Sequence, residues 1–191
     1  MNNILLAAGS QKSQDLFRAM LSEILGDAHI ISVSEGDSAR LRLKENEIDL
    51  VVVNTPMADE QGVGFAVFAA DSERNPVVLV TNQETYARAA QKLEEHGIIA
   101  MKRPVEKKIF SCAVRDAVAV GNLVAALRKE NRELKESIEE SKLVSRAKGM
   151  LMSQLRMTEA QAHRYIEKQA MDLRVSKKTV SQSILKTYYN R

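Results

Sequence analysis

The run Asp49-Leu-Val-Val-Val53, followed by Asn54-Thr-Pro-Met57 and then by Gly62, decides the fold. Four branched aliphatic residues in a row, with no polar alternation, make a strand with no solvent face. Such strands lie inside parallel sheets that helices cover on both sides. Pro76-Val-Val-Leu-Val80 and Ile4-Leu-Leu-Ala7 have the same character, and His29-Ile-Ile-Ser-Val33 and Ile98-Ile-Ala-Met101 are weaker versions of it. Helical spacings fill the gaps between them. They cover Ser13–Leu25 (Leu16, Phe17, Met20, Leu21 and Ile24 inward), Asp37–Glu45 (Ala39, Leu41, Leu43), a poorly defined stretch at 62–71, and Glu84–His96. A fifth helix, Glu106–Ala119, follows the last strand. Five strand–helix alternations predict an α/β domain over 1–119, with an open, doubly wound, five-stranded parallel sheet.

The period changes at Val120. Written as heptads, Val124, Asn131 and Ile138 are a positions and Leu127 and Leu134 are d positions, with no Pro or Gly from Asn122 to Arg146. This is a coiled-coil seam over 120–145, and an asparagine at a suits a parallel dimer because paired amides there select register. The alternative is a long helix that packs on its own domain. Beyond the coil, 146–191 reads as a small three-helix module. Its first helix continues the coil through Val144, Ala147, Met150, Leu151 and Met152. Thr158-Glu-Ala-Gln161 is a capping box that opens the second, with Ala162, Tyr165, Ile166 and Met171 inward. Ser176 caps the third, which runs through Val180, Ile184 and Leu185. Tyr188-Tyr189 reads as a tail.

Charge separates these parts. Residues 1–119 carry 13 Lys and Arg against 17 Asp and Glu, and 120–141 carry 4 against 5. Residues 142–191 carry 11 against 3, so the net +3 of the chain arises wholly in its last quarter. An acidic front with a basic end points to a polyanionic partner. The candidate contacts are Arg146, Lys148, Gly149, Arg164, Lys168, Arg174, Lys177 and Lys178. Gly149 costs a helix about 1 kcal/mol relative to alanine. Close approach of another backbone would account for it, either a neighbouring helix of the bundle or a nucleic acid. Met150, Met152, Met157 and Met171 read as adaptable core. Tyr165 is suited either to stacking on a splayed base or to the core.

Several classes are disfavoured. Cys112 is alone, and His29, His96 and His163 are scattered without metal-ligand spacing, so no metal or cofactor is expected. No nucleophile–base pair or phosphate-binding loop appears, so no enzyme is expected. No run of about 18 consecutive apolar residues and no secretory leader is present, so a cytoplasmic protein with no membrane partner is expected.

The order of elements over 2–118 resembles the receiver domain of response regulators, a flavodoxin-like fold. In that resemblance Asn54 stands at the phosphoacceptor position, with Met57 and Gly62 at the expected distances after it. Thr81 stands at the switch hydroxyl, and Lys102-Arg103-Pro104 at the lysine–proline pair. The chemistry departs from the pattern. An amide is a poor phosphoryl acceptor, and the first strand ends Leu6-Ala7-Ala8-Gly9 where receivers carry the acids that hold Mg²⁺. The resemblance thus implies a pseudo-receiver, with Thr81 and the Lys102/Arg103 pair stripped of catalytic meaning, and the extra residue before Pro104 leaves open which of the two fills the lysine position. Such a domain would serve as a docking surface for a sensor or sequestering protein, or as an inert dimerising scaffold.

Ser145-Arg-Ala-Lys-Gly-Met-Leu-Met152, Met157-Thr-Glu-Ala-Gln-Ala162 and Ala170-Met-Asp-Leu-Arg174 resemble the ANTAR domain over about 124–186. ANTAR domains are the RNA-binding modules of transcription antitermination regulators. The resemblance implies a homodimer, joined through its coiled coil, that binds paired stem-loops in a nascent leader transcript and prevents a terminator from forming. A DNA-binding regulator is the alternative, because the last two helices have a helix-turn-helix outline in which Ser181, Gln182 and Ser183 would face base edges. An adaptor without a nucleic-acid partner is the third class.

Overall fold

In a computed structural model of the 191-residue chain, residues 3–72 and 75–189 are described. Five strands alternate with helices: β1 (Asn3–Ala8), α1 (Gln11–Leu25), β2 (His29–Val33), α2 (Gly36–Glu45), β3 (Leu50–Asn54), α3 (Val63–Ser72), β4 (Val77–Thr81), α4 (Gln83–Glu95) and β5 (Ile99–Lys102). Three helices follow: α5 (Lys107–Leu155), α6 (Glu159–Leu173) and α7 (Lys177–Tyr189). The strands form one parallel sheet in the order β2-β1-β3-β4-β5. The chain divides into two compact units at Ala125/Ala126.

The first unit is doubly wound because its strands are apolar on both faces. Leu5, Ala7, Val51, Val53, Val77 and Leu79 point to one side, where Ala39, Leu43, Phe65, Ala69 and Leu93 of α2, α3 and α4 meet them. Ile4, Leu6, Leu50, Val52, Val78 and Val80 point to the other, against Phe17 and Leu21 of α1 and Phe110 and Val114 of α5. Phe17 and Phe110 meet edge to face at 5.3 Å between ring centroids. Residue parity along each strand therefore assigns each side chain to one of two cores. Leu16 and Leu41, expected inward, are instead 58% and 54% exposed, because Phe17 and Leu21 of α1 and Ala39 and Leu43 of α2 already fill the inner stripes.

Where the sequence suggested a helix ending at Ala119 and a separate coil, α5 continues without a break from Lys107 to Leu155. No proline interrupts it, and the cost of a glycine, about 1 kcal/mol, is too small to end a helix already packed near both ends. By length and composition α5 holds one stretch apolar enough to cross a membrane, of which 22% is buried within the protein. The sequence reading, which sought consecutive apolar residues, passed over it. Phe110, Val114 and Ala117 of α5 belong to the core of the first unit.

The second unit packs the end of α5, α6 and α7 around Ala147, Leu151, Ala162, Ile166, Ala170, Val180 and Ile184. Thr158 and Gln161 form the capping box, Thr158 Oγ1 accepting from the Gln161 N–H and Gln161 Oε1 from the Thr158 N–H. Ser176 Oγ accepts from the Thr179 N–H at 3.1 Å at the start of α7. Tyr188, assigned to a tail from sequence, lies within α7 and packs against this core. Met171 and Met152, expected inside, are 78% and 41% exposed, since the small residues Ala162 and Ala170 take the inner face of α6.

Two ion pairs tie the three helices of this unit. Lys148 on α5 reaches Glu159 on α6 at 2.7 Å, and Lys177 on α7 reaches Glu167 on α6 at 2.6 Å. Each carboxyl is held below its ordinary value of 4.5, first by the hydrogen bond from its lysine. A carboxyl lowered on folding contributes stability that is fully present above its unfolded value and is lost as pH falls through its folded value. The C-terminal unit is therefore expected to weaken progressively below pH 4.5. The double substitution Glu159→Gln, Glu167→Gln should flatten this acid limb in denaturant titrations followed by circular dichroism. An unchanged limb would mean that solvent screening cancels both pairs.

Candidate nucleic-acid interface and the acceptor position

The basic residues singled out from sequence separate into two groups. Lys148 and Lys177 are engaged with Glu159 and Glu167, and His163 shares Glu167 at 3.3 Å. Arg146, Arg164, Lys168 and Arg174 are exposed and Lys178 is half-buried. These five have no ion-pair partner among the described residues. Arg164 and Lys168 stand one turn apart on α6. On α5 the exposed residues Lys142, Arg146, Gly149 and Ser153 follow at spacings of four, three and four, so they form one stripe on the side away from the buried Ala147 and Leu151.

Gly149 lies on this stripe, and a Cβ built there would meet nothing within 4 Å. Packing against a neighbouring helix of the module, one of the two explanations open from the sequence, is thereby excluded among the described residues. Two arginines show the opposite exchange. Arg174 caps α6 with φ 53°, its N–H donating to the Met171 carbonyl at 3.2 Å, and Arg156 follows α5 with φ 54°. Helix ends of this left-handed kind ordinarily take glycine, and an L-residue there costs about 1–2 kcal/mol. Arg156 was missed from the sequence because its signal is conformational rather than compositional. Tyr165 is 39% exposed beside Leu173 and Val175 in an apolar cleft of the module, so the core reading fails for it. Ser181 is fully buried and has no access to a base edge, while Gln182 and Ser183 are exposed.

The coil positions are open in the single chain. Leu127, Leu134 and Ile138 are 55%, 57% and 53% exposed, Asn131 is exposed and Val124 is half-buried.

In the first unit, Asn54 ends β3, is 4% exposed and pairs in register with Ala8 of β1. Its Oδ1 is buried without a partner. Thr81 is fully buried and accepts a hydrogen bond from Thr55 at 2.9 Å. Lys102, one of the two candidates for the lysine position, turns to the Tyr86 ring, with Nζ 4.7 Å from its centroid. Arg103 is the cation beside Asn54, and its Nη2 donates to the Thr55 carbonyl. The residue inserted before Pro104 carries this change. Beyond the end of β1, the turn after β3 leaves no room for a side chain at Gly9. A Cβ at Gly9 would lie 2.7 Å from the Pro56 carbonyl oxygen and 2.8 Å from the Met57 carbonyl carbon. Asp59, five residues past Asn54, caps α2 by accepting from the Gly36 N–H at 2.7 Å, and that bond is the main cause of its lowered pKa. Among the described residues no group of three or more His, Cys, Asp or Glu could hold a metal ion.

Comparisons with known proteins agree with this division. Residues 132–185 match the ANTAR domain. The transcriptional regulatory protein PdtaR of Mycobacterium tuberculosis is 27% identical over 179 residues, covering 92% of this chain and 87% of that protein. The aliphatic amidase regulator of Pseudomonas aeruginosa is 27% identical over 122 residues, 63% of this chain and 61% of its own. Among solved structures, a response regulator receiver domain protein from Clostridium thermocellum superposes with a TM-score of 0.57 at 16% identity, over 65% of this chain and 99% of that one. The HemR receiver domain from Leptospira biflexa does so at 0.54 and 19%, over 62% and 94%. At such identities the structures establish the fold alone. An ANTAR domain at residues 132–185 behind a receiver fold is the make-up of an ANTAR response regulator, the family this chain resembles.

Proposed function

We propose that the chain is a cytoplasmic RNA-binding antiterminator. As a dimer joined through Val124, Leu127, Asn131, Leu134 and Ile138, it takes paired hairpins of a nascent leader transcript and keeps a terminator from forming. The observation that carries this reading is the exchange of glycine and arginine in the second unit. A glycine stands mid-helix with empty space above it, and arginines stand where helix ends favour glycine. Both choices cost folding free energy, and such costs persist where a surface serves a partner. On this reading a phosphodiester backbone lies close along α5 at Gly149, with Arg146 and Arg156 on either side, while Arg164, Lys168, Arg174 and Lys178 neutralise further phosphates. Lys148 and Lys177 then position helices as much as they meet RNA. A duplex-DNA reader is less well supported, because the buried Ser181 leaves its recognition helix with little more than Gln182 and Ser183. Asn54, with no acid at the end of β1, supports a pseudo-receiver controlled by a sensor or sequestering protein rather than by phosphorylation.

Gly149→Ala should raise the stability of the C-terminal unit by about 0.5–1 kcal/mol. It should lower affinity for a two-hairpin RNA by about tenfold, or 1.4 kcal/mol, in filter-binding assays at fixed salt. Arg174→Gly should likewise leave stability unchanged or higher while weakening binding and reducing its salt dependence by about one phosphate contact. If both variants bind as tightly as the parent, the surface is misplaced. Duplex DNA of the same sequence retained as well as the RNA would favour the alternative. In sedimentation at micromolar concentration the chain should run as a dimer and Leu134→Asp as a monomer; a monomeric parent removes the coiled coil. Acetyl phosphate with Mg²⁺ should leave the chain unmodified, and a stoichiometric acid-labile adduct would contradict the pseudo-receiver reading.

A further inference from the structure

The vacated acceptor region is not filled. Above Asn54 lies a cleft of about 550 Å³, within the range of small-ligand sites. Leu16, Phe17 and Met20 of α1 form one wall and Val105 contributes to another. Leu16 is 58% exposed there, a large apolar side chain that the described protein leaves uncovered. Ser13, Asn54 and Arg103 are the polar residues that line the cleft, and the last two have hydrogen-bonding capacity to spare. Arg103 is fixed at the wall by its hydrogen bond to the Thr55 carbonyl, has no carboxylate partner among the described residues, and has further N–H donors to offer. Asn54 is 4% exposed and its Oδ1 has no hydrogen-bond partner. That oxygen is an acceptor, which an anion cannot satisfy, so a bound acid group is met by the Asn54 Nδ2 N–H. No residue lining the cleft carries a negative charge.

We propose that this cleft binds a small amphipathic monoanion, its acid group held by Arg103 and Asn54 and its hydrocarbon body lying on Leu16, Phe17, Met20 and Val105. One guanidinium balances one negative charge. A bare oxyanion would leave the apolar wall uncovered, and a neutral hydrophobe would leave both polar groups unpaired. The uncharged amide of Asn54 is what admits an anion here, since a carboxylate at this position would repel it. The site lies wholly in the first unit and stands whether or not the second binds RNA.

The test titrates the full-length chain with three probes: 3-phenylpropionate, its neutral isostere 3-phenylpropanamide, and inorganic phosphate. Binding is followed by calorimetry and by amide chemical-shift changes in two-dimensional NMR. The acid should bind at millimolar concentration or tighter and at least about tenfold better than the amide, with shifts around Asn54, Arg103 and α1. Phosphate should bind more weakly than the acid. Arg103→Gln should remove the preference for acid over amide. Leu16→Ser, at an exposed position that leaves the fold intact, should weaken both organic probes alike. Absence of saturable binding, equal affinity for acid and amide, an undiminished preference in Arg103→Gln, or shifts confined to the C-terminal unit would each overturn the proposal. Phosphate binding as tightly as the acid would overturn its amphipathic part.

Discussion

A strand whose every side chain is removed from water needs a packed layer on each side, and β3 imposes that demand on the first unit. Leu50 to Asn54 are all buried, and their alternating sides feed two separate cores. The demand propagates outward. Parallel neighbours must be joined by crossovers, the crossovers are helices, and the inner stripe of each helix is set by which core it closes. The same constraint places Asn54 at the carboxyl end of the central strand, beside Thr55, Thr81 and Arg103. The geometry around Asn54 therefore follows from the sheet.

How much of this was legible in the sequence depended on whether the signal was periodic. Strand runs such as Val51–Val53 and Val77–Val80 needed only residue type, and the five strands and the four helices between them fell within a residue or two of their places. The capping box at Thr158 and the N-cap at Ser176 were readable because their hydrogen bonds are local. Illegible features depended on neighbours distant in the chain. Leu16 and Leu41 fit helical spacings but face solvent, since which residues line a stripe depends on the surface opposite. Met171 looked like core for the same reason. The uninterrupted α5 was hidden by a change of hydrophobic period that marks a change of partner, not an end of helix.

The candidate interface was legible as charge and only partly as geometry. Composition found the basic quarter, but counting cations could not separate Lys148 and Lys177, which hold helices together, from Arg146, Arg164, Lys168 and Arg174, which have no acidic partner. That distinction appears only when Glu159 and Glu167 are seen across the helix contacts. Gly149 was noticed from sequence, and the empty space above it gave that observation its meaning. Arg103 was one of two adjacent cations, and three-dimensional placement was required to choose between it and Lys102.

Gly9 has a longer reach than its size suggests. The turn after β3 lies so close that a β-carbon at this position would run into main-chain atoms, and Ala7 and Ala8 before it are sealed inside the sheet. Changing Asn54 to aspartate would thus place there a carboxylate that position 9 cannot accompany with a second. Any side chain at position 9 would require the backbone of this turn to retreat first.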